Sequence, residues 1–207
     1  MQSLGRFALL LLATSWLGIG AATADEGGKN GELGEAVMLL ATPQVSDPVF
    51  GQTVLLTAPL KEGARIGVIL NRPTEHAMEV LFPTHKVLGK IKDTVYFGGP
   101  MLPEVMVALV RGETDPGQGA LRIGSGLYLA ISAPLIEKVL KERPQSARCF
   151  VGSVIWQPGE LDDQIKDGVW AVVKPDAEMI FGKTPENLWE SLTDKSRQMT
   201  ALLLLRQ

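Results

Sequence analysis

Asp47, Asn71 and Arg72 carry the functional groups best suited to a site, each set in a proline-bearing loop. Asp47 stands before Pro48 in the segment Ala41-Thr42-Pro43-Gln44-Val45-Ser46-Asp47-Pro48-Val49-Phe50, and Asn71 and Arg72 stand before Pro73 and Thr74. A guanidinium in such a loop can clamp an anionic group bidentately. With Asp47 and Asn71 beside it, the set could also serve a hydrolase or a transferase. Structural uses compete with both readings. An Asp ahead of a proline caps backbone N–H groups two residues on, as an Asx-turn. Arg72 could equally pair with Asp47 and lock the two loops together.

Two further segments share the proline and glycine punctuation, Phe97-Gly98-Gly99-Pro100 and Trp156-Gln157-Pro158-Gly159. Each follows an apolar run with the look of a strand. Proline and glycine fix loop shape, so strands ending in such loops can build a rigid concave site. The expected ligand site is one cleft lined by Thr42, Pro43, Asp47, Asn71, Arg72, Gly98, Gly99, Trp156 and Gly159. No catalytic residue, metal site or cofactor is assigned.

Other arrangements fail on spacing. His76 and His85 are the only histidines, and a pair nine residues apart does not share a helix face, even with Glu75 and Glu79 nearby. Two histidines in one segment leave little for a Ser-His-Asp arrangement. Gly124-Ser125-Gly126 lacks the third glycine of a dinucleotide loop, since position 129 is Leu, and it leads into a strand rather than a helix. Ser125 does not sit in a Gly-x-Ser-x-Gly elbow. Cys149 is the single cysteine, so no internal disulfide forms. It reads as a small core residue in an apolar strand, with a reactive thiol as the alternative.

Strands supply most of the scaffold for these loops. Apolar runs mark them near residues 37–41, 53–58, 66–70, 94–97, 105–110, 127–131, 148–155, 170–173 and 179–181. Short helices are expected over 74–82 with Thr74 as cap, 132–142 behind Ser132 and Pro134, 160–165, 184–192 and 194–205. Gly112 to Gly119 marks a hairpin or excursion. The strands do not alternate with long crossover helices. The reading is α+β, with a mixed sheet that curls on itself and short flanking helices, rather than a doubly wound fold.

The first residues carry an address. Arg6 precedes an apolar stretch from Phe7 to about Ile19, and Ala22-Thr23-Ala24 gives a small-x-small cleavage site. That order is a signal peptide over 1–24. A polar leader over 25–35 and a single domain over 36–207 follow. The expected location is periplasmic or secreted, with no integral membrane segment in the mature chain. Lys and Arg number 20 against 23 Asp and Glu, a net charge of −3. Nucleic acid is therefore not an expected partner; a small molecule or an envelope protein is.

The motifs together resemble the YqgE/AlgH family of bacterial proteins, sometimes labelled transcriptional regulators. The Ala-Thr-Pro loop and Asp-Pro-x-Phe stand at 41–50, a Gly-x-Val-Ile/Leu-Asn-Arg-Pro run at 67–73, and Gly-Gly-Pro at 98–100. A tryptophan-bearing run stands at 152–162, where Ile155, Glu160 and Asp162 depart from the family pattern. The resemblance spans about residues 36 to 193. It implies an α+β fold with a barrel-like sheet, and no catalytic residue. A regulator role fits poorly with an exported, acidic chain lacking a basic recognition helix. The expected function is a non-catalytic ligand-binding or accessory domain of the cell envelope. An enzyme using Asp47, Asn71 and Arg72 is the alternative, ahead of a transcriptional regulator.

Overall fold

The computed structural model describes residues 35–124, 126–182 and 185–195. The segment expected as a signal peptide over 1–24, the leader up to residue 34, Ser125, residues 183–184 and the region beyond residue 195 lie outside the described residues.

Ten strands form one strongly curled, largely antiparallel half-barrel with a few short helices. They are β1 (Val37–Ala41), β2 (Val54–Pro59), β3 (Arg65–Ile69), β4 (Pro73–Ala77), β5 (Thr94–Phe97), β6 (Met101–Arg111), β7 (Ala120–Gly124), β8 (Leu127–Ala130), β9 (Ala147–Trp156) and β10 (Trp170–Val173). The main path runs β10-β1-β2-β3-β9-β6-β8-β7. β5 joins β9 in parallel, with Tyr96 opposite Phe150, and carries β4 on its other side. The helices are α1 (Met78–Leu81), α2 (Ala133–Glu142), α3 (Glu160–Lys166), α4 (Ala177–Ile180) and α5, described over 188–195.

The central strands read as unbroken apolar runs because both of their faces are buried. Successive side chains point to opposite faces. On β1 to β3, Met38, Leu40, Val54, Leu56, Val68 and Leu70 face the hollow of the half-barrel, while Leu39, Leu55 and Ile69 face outward beneath α3. The hollow is filled by Leu109, Leu129 and Phe150 from the far strands and by Ile180, Leu188 and Leu192 from the C-terminal helices. Outside the other half, α2 lays Leu135, Ile136, Val139 and Leu140 over Ala108, Val110 and Cys149. That 3.6-residue stripe gave the helix its sequence signature.

Three local readings are corrected. Residues 73–77 form strand β4, and only Met78–Leu81 is helical. Thr74 does not cap; its hydroxyl donates to the Val95 carbonyl at 2.7 Å, which ties it to β5. Residues 179–181 are not a strand. Asp176 accepts from the Glu178 and Met179 amides and starts the short helix α4 instead. Ala120–Gly124 is an edge strand paired to β8, unexpected because its apolar run is too short to mark one.

Candidate functional site

Loop 42–52 joins β1 to β2 and holds its shape through its own polar groups. Asp47 Oδ1 accepts from the amides of Val49 at 2.8 Å and Phe50 at 3.0 Å, the expected Asx-turn. The Gly51 amide returns to the Asp47 carbonyl at 2.7 Å, and the Thr53 hydroxyl donates to the Phe50 carbonyl at 2.6 Å. The Thr42 hydroxyl donates to the Gly168 carbonyl at 2.7 Å, fixing the start of the loop to the end of the α3 segment.

The β3–β4 corner is fastened to this loop. Asn71 is buried: its Oδ1 accepts from the Val54 amide and its Nδ2 donates to the Gln52 carbonyl, both at 2.9 Å. The side-chain amide thus continues the ladder where β2 and β3 diverge. Next to it, Arg72 donates from Nη2 to the Gly51 carbonyl at 2.7 Å. The Arg72 carbonyl accepts from the Phe97 amide at 2.8 Å, so its backbone is anchored to β5.

Between these elements lies a cavity of about 440 Å³, lined by Thr42, Pro43, Val45, Ser46, Asp47, Pro48, Gly51, Gln52, Arg72 and Trp189. The size is within the range of small-molecule pockets. Trp189 comes from α5 and donates from Nε1 to the Ala41 carbonyl at 2.8 Å, walling the cavity from the C-terminal side. Sequence reading missed it. Its signal was a tryptophan between Leu188 and Leu192, on the flank of an apolar helical stripe rather than in its centre.

The structure therefore collects Thr42, Pro43, Asp47 and Arg72 and leaves the other expected residues out of the cavity. Asn71 is used up on backbone. Gly98 and Gly99 lie beside the Arg72 backbone but serve a close crossing of chains. A Cβ on Gly98 would stand 2.3 Å from the Gly152 carbonyl oxygen, and one on Gly152, at φ +73°, would stand 2.1 Å from that of Gly99. Trp156 and Gly159 sit at the far end of β2 and β3, where Arg65 pairs with Trp156 and Pro59. Roughly 16 Å of strand separates that end from the cavity. Trp156 is buried over Gly67, and its Nε1 shares the Gln164 Oε1 acceptor with Trp170, at 3.0 and 2.8 Å. Gly159, at φ +80°, turns the chain into α3. The four loops do not form one cleft; the second and third stand at one end of the sheet with the first, and the fourth at the other.

The electrostatics of the cavity are simple. Asp47 and Arg72 both line it, yet they are not an ion pair: the salt bridges among the described residues are His85–Glu137, Arg111–Glu178 and Lys166–Asp163. The strongly perturbed groups lie elsewhere. Burial pushes the Cys149 thiol up to about 12, as fits a core residue under α2 rather than a nucleophile. Burial also lowers Arg148, which reaches the Ile180 and Gly182 carbonyls and stacks over Tyr96 at 4.8 Å, stapling the α4 segment to the half-barrel. Among the described residues no group of three His, Cys, Asp or Glu side chains is placed to hold a metal ion. His85 Nδ1 accepts from the Val87 and Leu88 amides at 3.3 Å, a loop cap rather than a ligand.

The molecule is thus a curled α+β half-barrel with a loop-built polar cavity at one end of its sheet. The AlgH-like family profile matches residues 38–200, and the chain belongs to that family. A UPF0301 protein from Anaeromyxobacter dehalogenans is 29% identical over 163 residues, covering 74% of this chain and 83% of its own. One from Streptomyces avermitilis is 29% identical over 172 residues, covering 80% and 88%. In three dimensions the chain is similar to the solution structure of AlgH from Pseudomonas aeruginosa, with a TM-score of 0.65 at 23% identity, covering 87% of this chain and 98% of that one. A crystal structure of a protein from Corynebacterium diphtheriae superposes with a TM-score of 0.62 at 22% identity, covering 82% and 88%. These two likenesses concern the fold.

Proposed function

We propose that this protein is a non-catalytic ligand-binding domain of the cell envelope, and that the cavity between loop 42–52, Arg72 and Trp189 is where the ligand sits. One observation carries the reading: a cavity of about 440 Å³ whose polar walls are held by backbone hydrogen bonds rather than by one another. In nucleophilic catalysis of the triad type, the nucleophile meets a base that a third side chain orients. Here the Asp47 carboxylate is oriented by amides and Asn71 is committed to the sheet, so the walls favour recognition over turnover. The envelope location rests on the sequence of residues 1–24. Among the described residues no helix is long and apolar enough to cross a membrane.

The test is a ligand screen on the processed chain. A panel of envelope metabolites is added to isotope-labelled protein and the amide and indole resonances are followed. Shifts confined to residues 42–52, Arg72 and the Trp189 indole, with a matching rise in melting temperature, support the reading. Shifts elsewhere only, or steady turnover of a panel compound by the purified protein, defeat it. N-terminal sequencing of the exported protein is expected to begin at Asp25; full-length chain in the cytosol removes the envelope half of the proposal.

A further inference from the structure

We infer that the cavity selects a small zwitterion, a free α-amino acid, through opposite charges that both line it without pairing. The inference rests on the binding-site reading above and gives it a ligand class. Asp47 and Arg72 line the same cavity without pairing. Each is fixed by one edge only. Asp47 Oδ1 takes the Val49 and Phe50 amides, and among the described residues Oδ2 has no protein donor. Arg72 gives one of its five N–H groups to Gly51, and among the described residues the rest of the fork meets no carboxylate.

Two half-buried charges of opposite sign, each bonded to backbone and not to the other, are preorganised for a molecule carrying both complements. An ammonium satisfies Asp47 and a carboxylate satisfies Arg72, leaving the cavity neutral. A simple anion would leave Asp47 facing it unpaired, and a simple cation would do the same to Arg72; both cost desolvation without compensation. The Thr42 hydroxyl, whose proton goes to Gly168, offers only lone pairs to the cavity, a second acceptor for an ammonium. Val45 and Trp189 supply apolar wall for a side chain.

The experiment titrates the full processed chain with glycine, leucine and phenylalanine, and with two single-charge analogues, 3-phenylpropanoate and phenethylamine, by calorimetry and by resonance shifts. Phenylalanine or leucine is expected to bind at residues 42–52 and Trp189, with each analogue weaker by at least about tenfold. Asp47→Asn keeps the Asx-turn acceptor and removes the charge, so it should erase the preference for phenylalanine over 3-phenylpropanoate. Arg72→Gln should erase the preference over phenethylamine, and Arg72→Lys should restore part of it. If the analogues bind as well as the amino acid, or if other metabolites fill the cavity while no amino acid does, the zwitterion inference is overturned and the binding site stands. If nothing perturbs the cavity, both fall.

Discussion

Arg72 donates to the carbonyl of Gly51 at 2.7 Å, although the Asp47 carboxylate lines the same cavity. The two loops are locked together, as the sequence allowed, but through backbone. The guanidinium closes the loop at its base, where the Gly51 amide turns back to Asp47. A double-mutant cycle separates this from an ion pair. Arg72→Ala is expected to lower stability by about 1–2 kcal/mol, the worth of a charge-assisted hydrogen bond at a half-buried site. Its coupling to Asp47→Asn should stay under about 0.5 kcal/mol. Coupling well above 1 kcal/mol in urea titrations would mean that the charges meet.

Asn71 should matter more to folding than Arg72. Asn71→Ala leaves the buried Val54 amide without a partner and frees the Gln52 carbonyl, which stands at an exposed residue, to water. The cost expected is about 2–3 kcal/mol, the desolvation penalty of the orphaned amide plus the lost bonds. A loss below 1 kcal/mol in chemical denaturation would show that the corner can open to water.

Two glycines with the same backbone sign should respond differently to alanine. Gly152, at φ +73°, has no room: the new Cβ would meet the Gly99 oxygen at 2.1 Å. Gly159, at φ +80°, has nothing within 4 Å. Gly159→Ala should cost about 1–2 kcal/mol, the left-handed penalty alone. Gly152→Ala should exceed about 3 kcal/mol and be recovered mostly as insoluble protein. Equal melting temperatures for the two variants would refute the close crossing.

Cys149 ties stability to alkaline pH. Its folded thiol titrates near 12 because burial disfavours the thiolate, against 9.0 for an ordinary thiol. The unfolded chain therefore releases this proton first. The contribution is fully present below pH 9 and is lost as pH rises from 9 toward 12, by about 1.4 kcal/mol per pH unit. Cys149→Ala should flatten that part of the stability profile, measured by urea midpoint against pH. Alkylation at pH 8 should be slow until denaturant is added; rapid labelling of the native chain would contradict the burial.

Most of the sheet was legible because strands buried on both faces announce themselves as apolar runs, as at 37–41 and 66–70. β4 was not, because Pro-Thr-Glu-His-Ala has no apolar pattern and Thr74 carries the chemistry of a helix cap; its pairing with β5 decides the matter through Val95. Half of the cavity was legible, since Asp47 and Arg72 lie in segments stiffened by proline. The rest required tertiary knowledge. Asn71 sits beside Arg72 in sequence yet faces the sheet, and Trp189 reaches Ala41 across 148 residues. Trp156 looked like a pocket residue because Pro158 and Gly159 follow it, but Gln164 pins its indole in the core.

The hydrogen bond from Trp189 to Ala41 has a consequence for assembly order. The first strand of the half-barrel and its last described helix meet at one wall, so that wall is completed only when nearly the whole polypeptide has emerged and docked. Long-range closure of this kind is slow to form and early to fray. Any molecule that leans on the indole acts as a late clasp, rewarding the finished globule and ignoring the nascent one.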